Sequence, residues 1–178
     1  MKQPDETLYF SLDSLAKSAS QWLIYSTIFL FSIHFLLYRE WTFSFRWYDP
    51  FLFIGGYLLL IILHEVFHLI GFRIFGNVPW KDMTYGVDFK RGIAYASHPH
   101  ILSNRAMKAA LLLPFWMTAF IPAVLGLIYD NGHLLLLAAF LTSGAAGDFA
   151  MYQQLRRFPN EFGVKDHPTE PRLFIFYK

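Results

Sequence analysis

The sequence predicts an all-α membrane protein with four transmembrane helices and a short cytoplasmic β-hairpin between the second and third helices. Three observations favour this fold class. Of the 178 residues, 55% are hydrophobic and only 16% are charged, which is too apolar for an ordinary soluble domain of this size. The apolar residues form four long runs, and the positive charges are distributed unevenly between them. Apart from the fold class, the sequence limits the kinds of site, because the chain has no cysteine and so can form neither disulfides nor thiolate metal sites.

Each of the four runs is long enough to cross a bilayer, which takes about 20 apolar residues with a range of ~17–25. The predicted spans are residues 22–38, 51–75, 106–129 and 134–155. Only residues 130–133, which begin with Asp130, Asn131 and Gly132, separate the last two spans, so these spans form a tight helical hairpin. We assign residues 21–157, including a cytoplasmic loop over 77–105, to one transmembrane domain.

Residues 1–20 and 158–178 are the predicted cytoplasmic N-terminal segment and C-terminal tail. The first segment is polar and mixed in charge, so we expect no cleavable signal peptide. Its leucines share one helical face over residues 7–19, which leaves open an interfacial helix there. The tail ends in the strand-like sequence LFIFY.

The positive charges predict the orientation of the chain in the membrane. All lysines and arginines except Arg39 and Arg46 lie in segments that four spans place on one side. By the positive-inside rule, both termini and the central loop are cytoplasmic, and the protein is a multi-pass protein of the cell's inner (cytoplasmic) membrane. Within the loop, apolar and polar residues alternate on both sides of Arg91-Gly92, which predicts a β-hairpin over residues 84–97.

Residues 64–68 read HEVFH, an H-E-x-x-H motif inside the second predicted span. On a helix, His64 and His68 are one turn apart and project from the same face, so that both imidazoles can bind one zinc ion. Glu65 lies about 100° further round the helix and can reach a zinc-bound water without being a ligand. Zinc with an open position lowers the pKa of this water toward ~7, and the carboxylate takes the proton as the water attacks a peptide bond.

The alternative interpretation of the motif is a chance match or a structural polar cluster between helices. Burial in hydrocarbon argues against chance, because a charged residue at the centre of a span costs ~2.5–3.5 kcal/mol on insertion scales. Zinc is therefore the expected cofactor, although cobalt or iron would fit similar ligands.

Depth in the bilayer identifies Asp148 as the candidate third ligand. At 1.5 Å per residue, His64 lies ~21 Å below the outer end of the second span and Asp148 ~22 Å below that of the fourth. The small residues at 143–147 and the glycines of the second span would let the two helices approach closely. The alternative for Asp148 is a polar residue that is hydrogen-bonded within the bundle or lies near a wet cavity.

The other histidines fit less well. His34 is only ~6 Å below the outer surface and His133 lies at that surface. The cytoplasmic histidines reach the site only by folding back; they are His98, His100 and His167. A second metal site at His98 and His100 is disfavoured by Pro99 between them. The group that stabilises the oxyanion stays open among Tyr95, Asn104 and Arg105.

Four sequence stretches carry a resemblance to a known family. HEVFH, YGVDFKRGIAYAS, ALLLPFW and GDFAMYQQLRRFP, from about residue 50 onward, resemble the bacterial membrane family described as putative zincin peptidases. The arrangement is also similar to site-2 proteases, which place H-E-x-x-H in one span and an aspartate ligand in a later one. This resemblance implies His64, His68 and Asp148 as ligands and Glu65 as the catalytic base. Unlike the leucine-aspartate-glycine context typical of site-2 proteases, Asp148 lies in Gly-Asp-Phe.

The sequence thus predicts a membrane-embedded zinc metallopeptidase that cleaves a peptide or a membrane-protein substrate by Glu-assisted attack of zinc-bound water. Its expected partners are that substrate and the lipid bilayer, with no nucleic acid. One alternative is a non-catalytic zinc-binding protein of the same fold with a regulatory or partner-binding role. A small transporter or metal carrier is a further alternative, which the short chain and the lack of a second histidine cluster disfavour.

Overall fold

The computed structural model describes residues 3–40, 45–88, 93–167 and 170–177, and it combines a helical bundle with two small antiparallel sheets. The elements are, in chain order, β1 (Glu6–Tyr9), α1 (Leu12–Tyr38), α2 (Asp49–Gly76), a 3₁₀ turn (Trp80–Asp82), β2 (Thr84–Asp88), β3 (Ile93–Ser97), β4 (Leu102–Ser103), α3 (Asn104–Phe115), a π-helical segment (Trp116–Phe120), α4 (Ile121–Ile128), α5 (Gly132–Gly144), α6 (Ala146–Leu155), β5 (Gly163–Asp166) and β6 (Arg172–Phe176).

The first two long helices begin and end at residues suited to those positions. Ser11 caps α1, because its hydroxyl accepts a hydrogen bond from the Ser14 N–H at 3.2 Å. Pro50 lies in the first turn of α2, where its missing N–H costs no helical hydrogen bond. The helix ends at Asn77, which adopts the left-handed conformation with φ 52°.

The third apolar run is one continuous rod made of α3, the π-helical segment and α4. It covers 25 residues, Asn104–Ile128, and is apolar enough to cross a membrane. Pro114 lies inside α3, and the π-helical register begins two residues later at Trp116. In that segment the Ile121 N–H donates to the Trp116 carbonyl, five residues back.

The fourth apolar run is broken. Helices α5 and α6 meet at Ala145 with a bend of 46°. The described residues therefore contain three helices long and apolar enough to span a membrane, or four if the bent pair is counted as one span. The expectation of a mostly helical chain with helices apolar enough to cross a membrane is confirmed, whereas the count of four spans stays a prediction.

The hairpin predicted over residues 84–97 is present. Strands β2 and β3 pair antiparallel with Thr84 opposite Ser97 and Tyr85 opposite Ala96. The predicted turn at Arg91-Gly92 lies outside the described residues.

The all-α expectation was incomplete, because a second sheet with the order β1-β6-β5-β4 joins the two ends of the chain. Glu6 is opposite Ile175, and Ile175 is also opposite Val164 on the other side of β6. Pairing across almost the whole sequence leaves no local signature, which is why the sheet was missed. Residues 6–9 are strand and residues 12–19 belong to α1, so no separate helix forms over 7–19.

This sheet closes the end of the bundle near the motif. Its fully buried residues Val164, Leu173 and Ile175 belong to the same apolar cluster as Met107 of α3 and Leu155 of α6. Asn104 adds polar contacts, since its buried side-chain amide donates to the carbonyls of Leu155 and Phe158, both at 2.9 Å. The start of α3 and the end of α6 are thereby fixed side by side.

Candidate metal centre

The histidines of the HEVFH motif lie in the C-terminal half of α2 and face its neighbours. His64 is 9% exposed and His68 is 8% exposed. The rings are 5.0 Å apart between centroids, as expected for side chains one helical turn apart. Potential ligand atoms of His64, Glu65 and His68 all lie within 4.8 Å of one another, and this is the only such group of three in the described part of the chain.

Asp148 completes the cluster from the other side of the bundle. One carboxylate oxygen lies 3.1 Å from His64 Nε2, and the other lies 3.4 Å from His68 Nε2. Asp148 is in the first turn of α6, immediately after the bend at Ala145. The bend gives α6 its own N-terminus there, and a negative charge is favourable in the first turn because of the helix dipole.

The contact between α2 and the fourth run does not depend on the close packing of small residues that the sequence predicted. An added Cβ would meet nothing within 4 Å at Gly144 or Gly147. At Gly71 an added Cβ would lie 2.9 Å from Ala110 Cα, so the tight approach of α2 is to α3 and not to the fourth run. The aspartate therefore reaches the histidines through the α5–α6 bend.

The remaining ring nitrogens contact the third run. His64 Nδ1 is 3.3 Å from the Thr118 hydroxyl, and His68 Nδ1 is 3.2 Å from the Ala110 carbonyl. Because both Nδ1 atoms have these partners, Nε2 is the atom of each ring that faces Asp148. Thr118 is fully buried, and the sequence interpretation did not identify it. A threonine four residues after a proline within a span was the available signal.

Glu65 lies at the boundary between the helical bundle and the hairpin. It is partly buried, and its carboxylate lies near the backbone N–H of Ala96 of β3. Ala96 is opposite Tyr85 in the hairpin. The edge of β3 that does not pair with β2 therefore runs past Glu65, which brings extended backbone next to the candidate base.

Asp166 of β5 is a further carboxylate near this cluster that sequence reasoning missed. Burial raises its pKa to about 7, and the charges of Asp148 and Glu65 act in the same direction, while His68 and a backbone hydrogen bond at His167 oppose the shift. The residue lies in the C-terminal tail, which no helical or motif pattern connects to α2.

The other candidates from the sequence lie in separate polar contacts. His34 Nε2 is 2.6 Å from Asp130, and His133 Nε2 is 3.4 Å from Asp49. A cavity of about 480 Å³ is lined by Asp49, Asp130 and His133 and contains no residue of the motif.

His98 and His100, which follow the hairpin, do not join the motif either. His98 is buried edge-on against Phe72, with ring centroids 4.4 Å apart, and burial, reinforced by the charge of His100, lowers its pKa to about 4. His100 contacts Asp82 at 2.8 Å. Among the oxyanion candidates, Asn104 is committed to backbone carbonyls of residues 155, 158 and 159, and Arg105 is exposed.

The donor set fits a zinc ion. Two imidazole nitrogens and a carboxylate converge from two separate helices, which is a ligand combination that zinc uses in catalytic sites with an open position. The Nδ1 contacts are of the kind that orient metal-binding histidines. The structure thus brings together the four residues that the sequence singled out, while their individual roles stay predictions.

Comparison with known proteins agrees with this chemistry. The model of the family described as "Putative zincin peptidase" matches residues 57–162, which include the motif on α2 and Asp148 on α6. No curated protein and no solved structure matches the chain significantly. The family and the His-Glu-x-x-His arrangement together point to zinc as the cofactor.

Proposed function

Because the chain belongs to the family of putative zincin peptidases, we propose that it is a membrane-embedded zinc metallopeptidase that cleaves membrane-associated polypeptides. The observation that carries the proposal is the convergence of the His64 and His68 Nε2 atoms on the two oxygens of Asp148, at 3.1 and 3.4 Å. In this proposal His64, His68 and Asp148 hold the metal, and Glu65 is the catalytic base.

When bound, zinc would polarise the scissile carbonyl and make a water molecule more acidic. The carboxylate of Glu65 would accept one proton from the attacking water and return it to the leaving amine nitrogen. A carbon–oxygen bond forms and the carbon–nitrogen bond of the peptide breaks, so that no further reactant is needed. The Ala96 N–H would hold the Glu65 carboxylate beside the site during these transfers.

We propose that the substrate binds in an extended form along the edge of β3 that does not pair with β2. Peptides are commonly bound by strand addition, in which main-chain hydrogen bonds supply affinity without requiring a particular sequence. Two features support this: β3 has only β2 as a partner in its sheet, and its Ala96 contacts Glu65. A substrate strand at this edge would pass directly over the motif.

The site-2-protease-like arrangement is also part of the proposal. The motif is in the inner half of α2, close to the end that leads to the hairpin, so substrate and water would enter from the cytoplasmic side if the positive-inside orientation holds. Cleavage would then occur within the bilayer near its cytoplasmic surface.

The test compares the purified wild type with Glu65→Gln and His64→Ala in liposomes, using fluorescent casein and a library of quenched peptides as substrates. We expect Glu65→Gln to retain zinc and to lose cleavage by at least ~100-fold, the scale of general-base catalysis. His64→Ala should lose both zinc and cleavage. Cleavage by Glu65→Gln at the wild-type rate would overturn the mechanism, and a wild type that binds zinc without cleaving any peptide would favour the non-catalytic, partner-binding alternative.

A further inference from the structure

Pro114 leaves one carbonyl of α3 without its usual helical donor. In an α-helix the N–H of residue 114 would donate to the carbonyl of residue 110, but proline has no N–H and its ring crowds that carbonyl. The Ala110 carbonyl instead lies 3.2 Å from His68 Nδ1. Prolines are tolerated in membrane helices where neighbouring helices supply the missing hydrogen bond, and here the neighbour's donor is a histidine of the metal centre.

A second hydrogen bond runs from the same proline to the other histidine. The Thr118 hydroxyl donates to the Pro114 carbonyl at 2.8 Å. Since this bond uses its hydrogen, the hydroxyl oxygen is left to accept from His64 Nδ1, 3.3 Å away. Thr118 is at the middle of the π-helical segment, and both Thr118 and Pro114 are fully buried.

Close packing of α2 on α3 makes both contacts possible. Gly71 lies directly against Ala110, where an added Cβ would be 2.9 Å from Ala110 Cα and 3.1 Å from its Cβ. The two helices run antiparallel, so His68 meets Ala110 and His64 meets Thr118, two turns apart on one face of the third run.

We propose that Pro114 and Thr118 are positioning residues that fix both histidines as Nδ1–H tautomers. In both rings Nδ1 is then a donor, and Nε2 supplies the lone pair that would bind the metal. Neither Pro114 nor Thr118 is one of the proposed ligands. This inference rests on the metal centre of the proposed function, but it does not depend on peptide hydrolysis.

The first experiment measures zinc affinity by chelator competition on the purified, zinc-free protein in detergent. Thr118→Val keeps the shape of the side chain but removes the acceptor, and we expect zinc to bind ~10–100-fold more weakly, as for other outer-shell partners. Thr118→Ser keeps the hydroxyl and should restore binding to within about threefold of the wild type.

Pro114→Ala tests the other half of the proposal. The new N–H can donate to the Ala110 carbonyl and compete with His68, so we expect ~10-fold weaker zinc binding. Pro122→Ala is the matched control, because Pro122 is a second buried proline of the same rod. The carbonyl four residues before it belongs to Thr118, whose hydroxyl and not its carbonyl contacts His64. The zinc affinity of Pro122→Ala should stay within about twofold of the wild type.

A second readout needs no activity. Proton–¹⁵N spectra of the zinc-loaded protein, assigned with His64→Gln and His68→Gln, should show a slowly exchanging Nδ1–H proton for both histidines, because each Nδ1–H has a buried acceptor. Thr118→Val should speed the exchange of the His64 proton alone, and Pro114→Ala that of the His68 proton alone.

The proposal is overturned if folded Thr118→Val and Pro114→Ala keep wild-type zinc affinity and wild-type exchange rates of the Nδ1–H protons. It is also overturned if Pro122→Ala weakens zinc binding as much as Pro114→Ala, since the effect would then come from helix straightening. A wild type that binds zinc and has Nδ1–H tautomers but cleaves no peptide would reject the proposed peptidase activity and leave the positioning role intact.

Discussion

At the scale of single residues, the candidate site contains two aspartates, Asp148 and Asp166, that have the same side chain but different positions relative to the histidines. Asp148 faces both Nε2 atoms, at 3.1 and 3.4 Å, while Asp166 lies near enough to sense the charges of His68 and Glu65 without a hydrogen bond to either histidine of the motif. Only the first arrangement places a carboxylate beside both Nε2 atoms, where a third ligand would lie.

Replacing each aspartate by asparagine distinguishes these roles. Asp148→Asn substitutes a neutral, weaker ligand, so we expect zinc affinity to fall by more than the ~10–100-fold typical of outer-shell changes. Asp166→Asn is the matched control in the same neighbourhood and should keep zinc affinity within about tenfold of the wild type. Zinc titration of both purified proteins provides the measurement. A larger loss of zinc affinity in Asp166→Asn than in Asp148→Asn would indicate that Asp166 of β5 is the third ligand.

The sequence was informative about individual residues where function breaks a local rule. Ionisable groups within an apolar run attract notice because hydrocarbon penalises them, which is how His64, Glu65, His68 and Asp148 were identified. Thr118 carries no comparable penalty, because the hydroxyl of a threonine in a membrane helix can donate a hydrogen bond to the carbonyl four residues back. Its contact with His64 depends on how α2 lies against the third run, which the sequence does not encode locally.

At the scale of elements, the position of α2 against α3 depends on a single glycine. Gly71 lets the backbones approach at Ala110, and the same carbonyl accepts the hydrogen bond from His68. The glycines earlier in α2 have no such role, since an added Cβ at Gly55 would meet nothing within 4 Å.

Alanine should lower the free energy of unfolding at Gly71 and should not lower it at Gly55. Gly71→Ala forces a Cβ against the Ala110 backbone, and we expect a loss of ~1–3 kcal/mol of unfolding free energy together with weaker zinc binding. Gly55→Ala adds a better helix former in open space and should leave stability unchanged or raise it by up to ~1 kcal/mol. Denaturant unfolding in detergent micelles measures both. Equal stabilities of the two variants would show that the close approach is not required.

The predicted elements agree with the structure where the signal is local. Alternation of apolar and polar residues located the hairpin, and long apolar runs located the helices. The bend at Ala145 was not foreseen, because Ser143 to Gly147 are all small and read equally well as a helix-packing surface. The break is nevertheless what turns Asp148 toward α2.

At the scale of the whole molecule, the four-stranded sheet constrains how the chain crosses the membrane. Strand β4 immediately precedes α3, and it pairs with β5, which follows α6. The segment between them must therefore leave and return to the same side. Strands β1 and β6 also pair, so the two ends of the chain lie on that side as well. This gives a reason, independent of the charges, to expect the bent pair α5–α6 to complete a fourth crossing.

Cysteine labelling can test this topology directly, because the natural chain contains no cysteine and every introduced thiol reports alone. The positions chosen are Tyr9 beside the sheet and Tyr129 in the connection between α4 and α5, which are 73% and 71% exposed. In bacterial spheroplasts, a membrane-impermeant maleimide should label Tyr129→Cys at once and Tyr9→Cys only after permeabilisation, as the positive-inside rule requires. Tyr177→Cys, beyond β6, is the control and should behave like Tyr9→Cys. Labelling of Tyr9→Cys and Tyr177→Cys from opposite sides would contradict the sheet itself, whereas labelling of all three with the reverse pattern would contradict only the orientation.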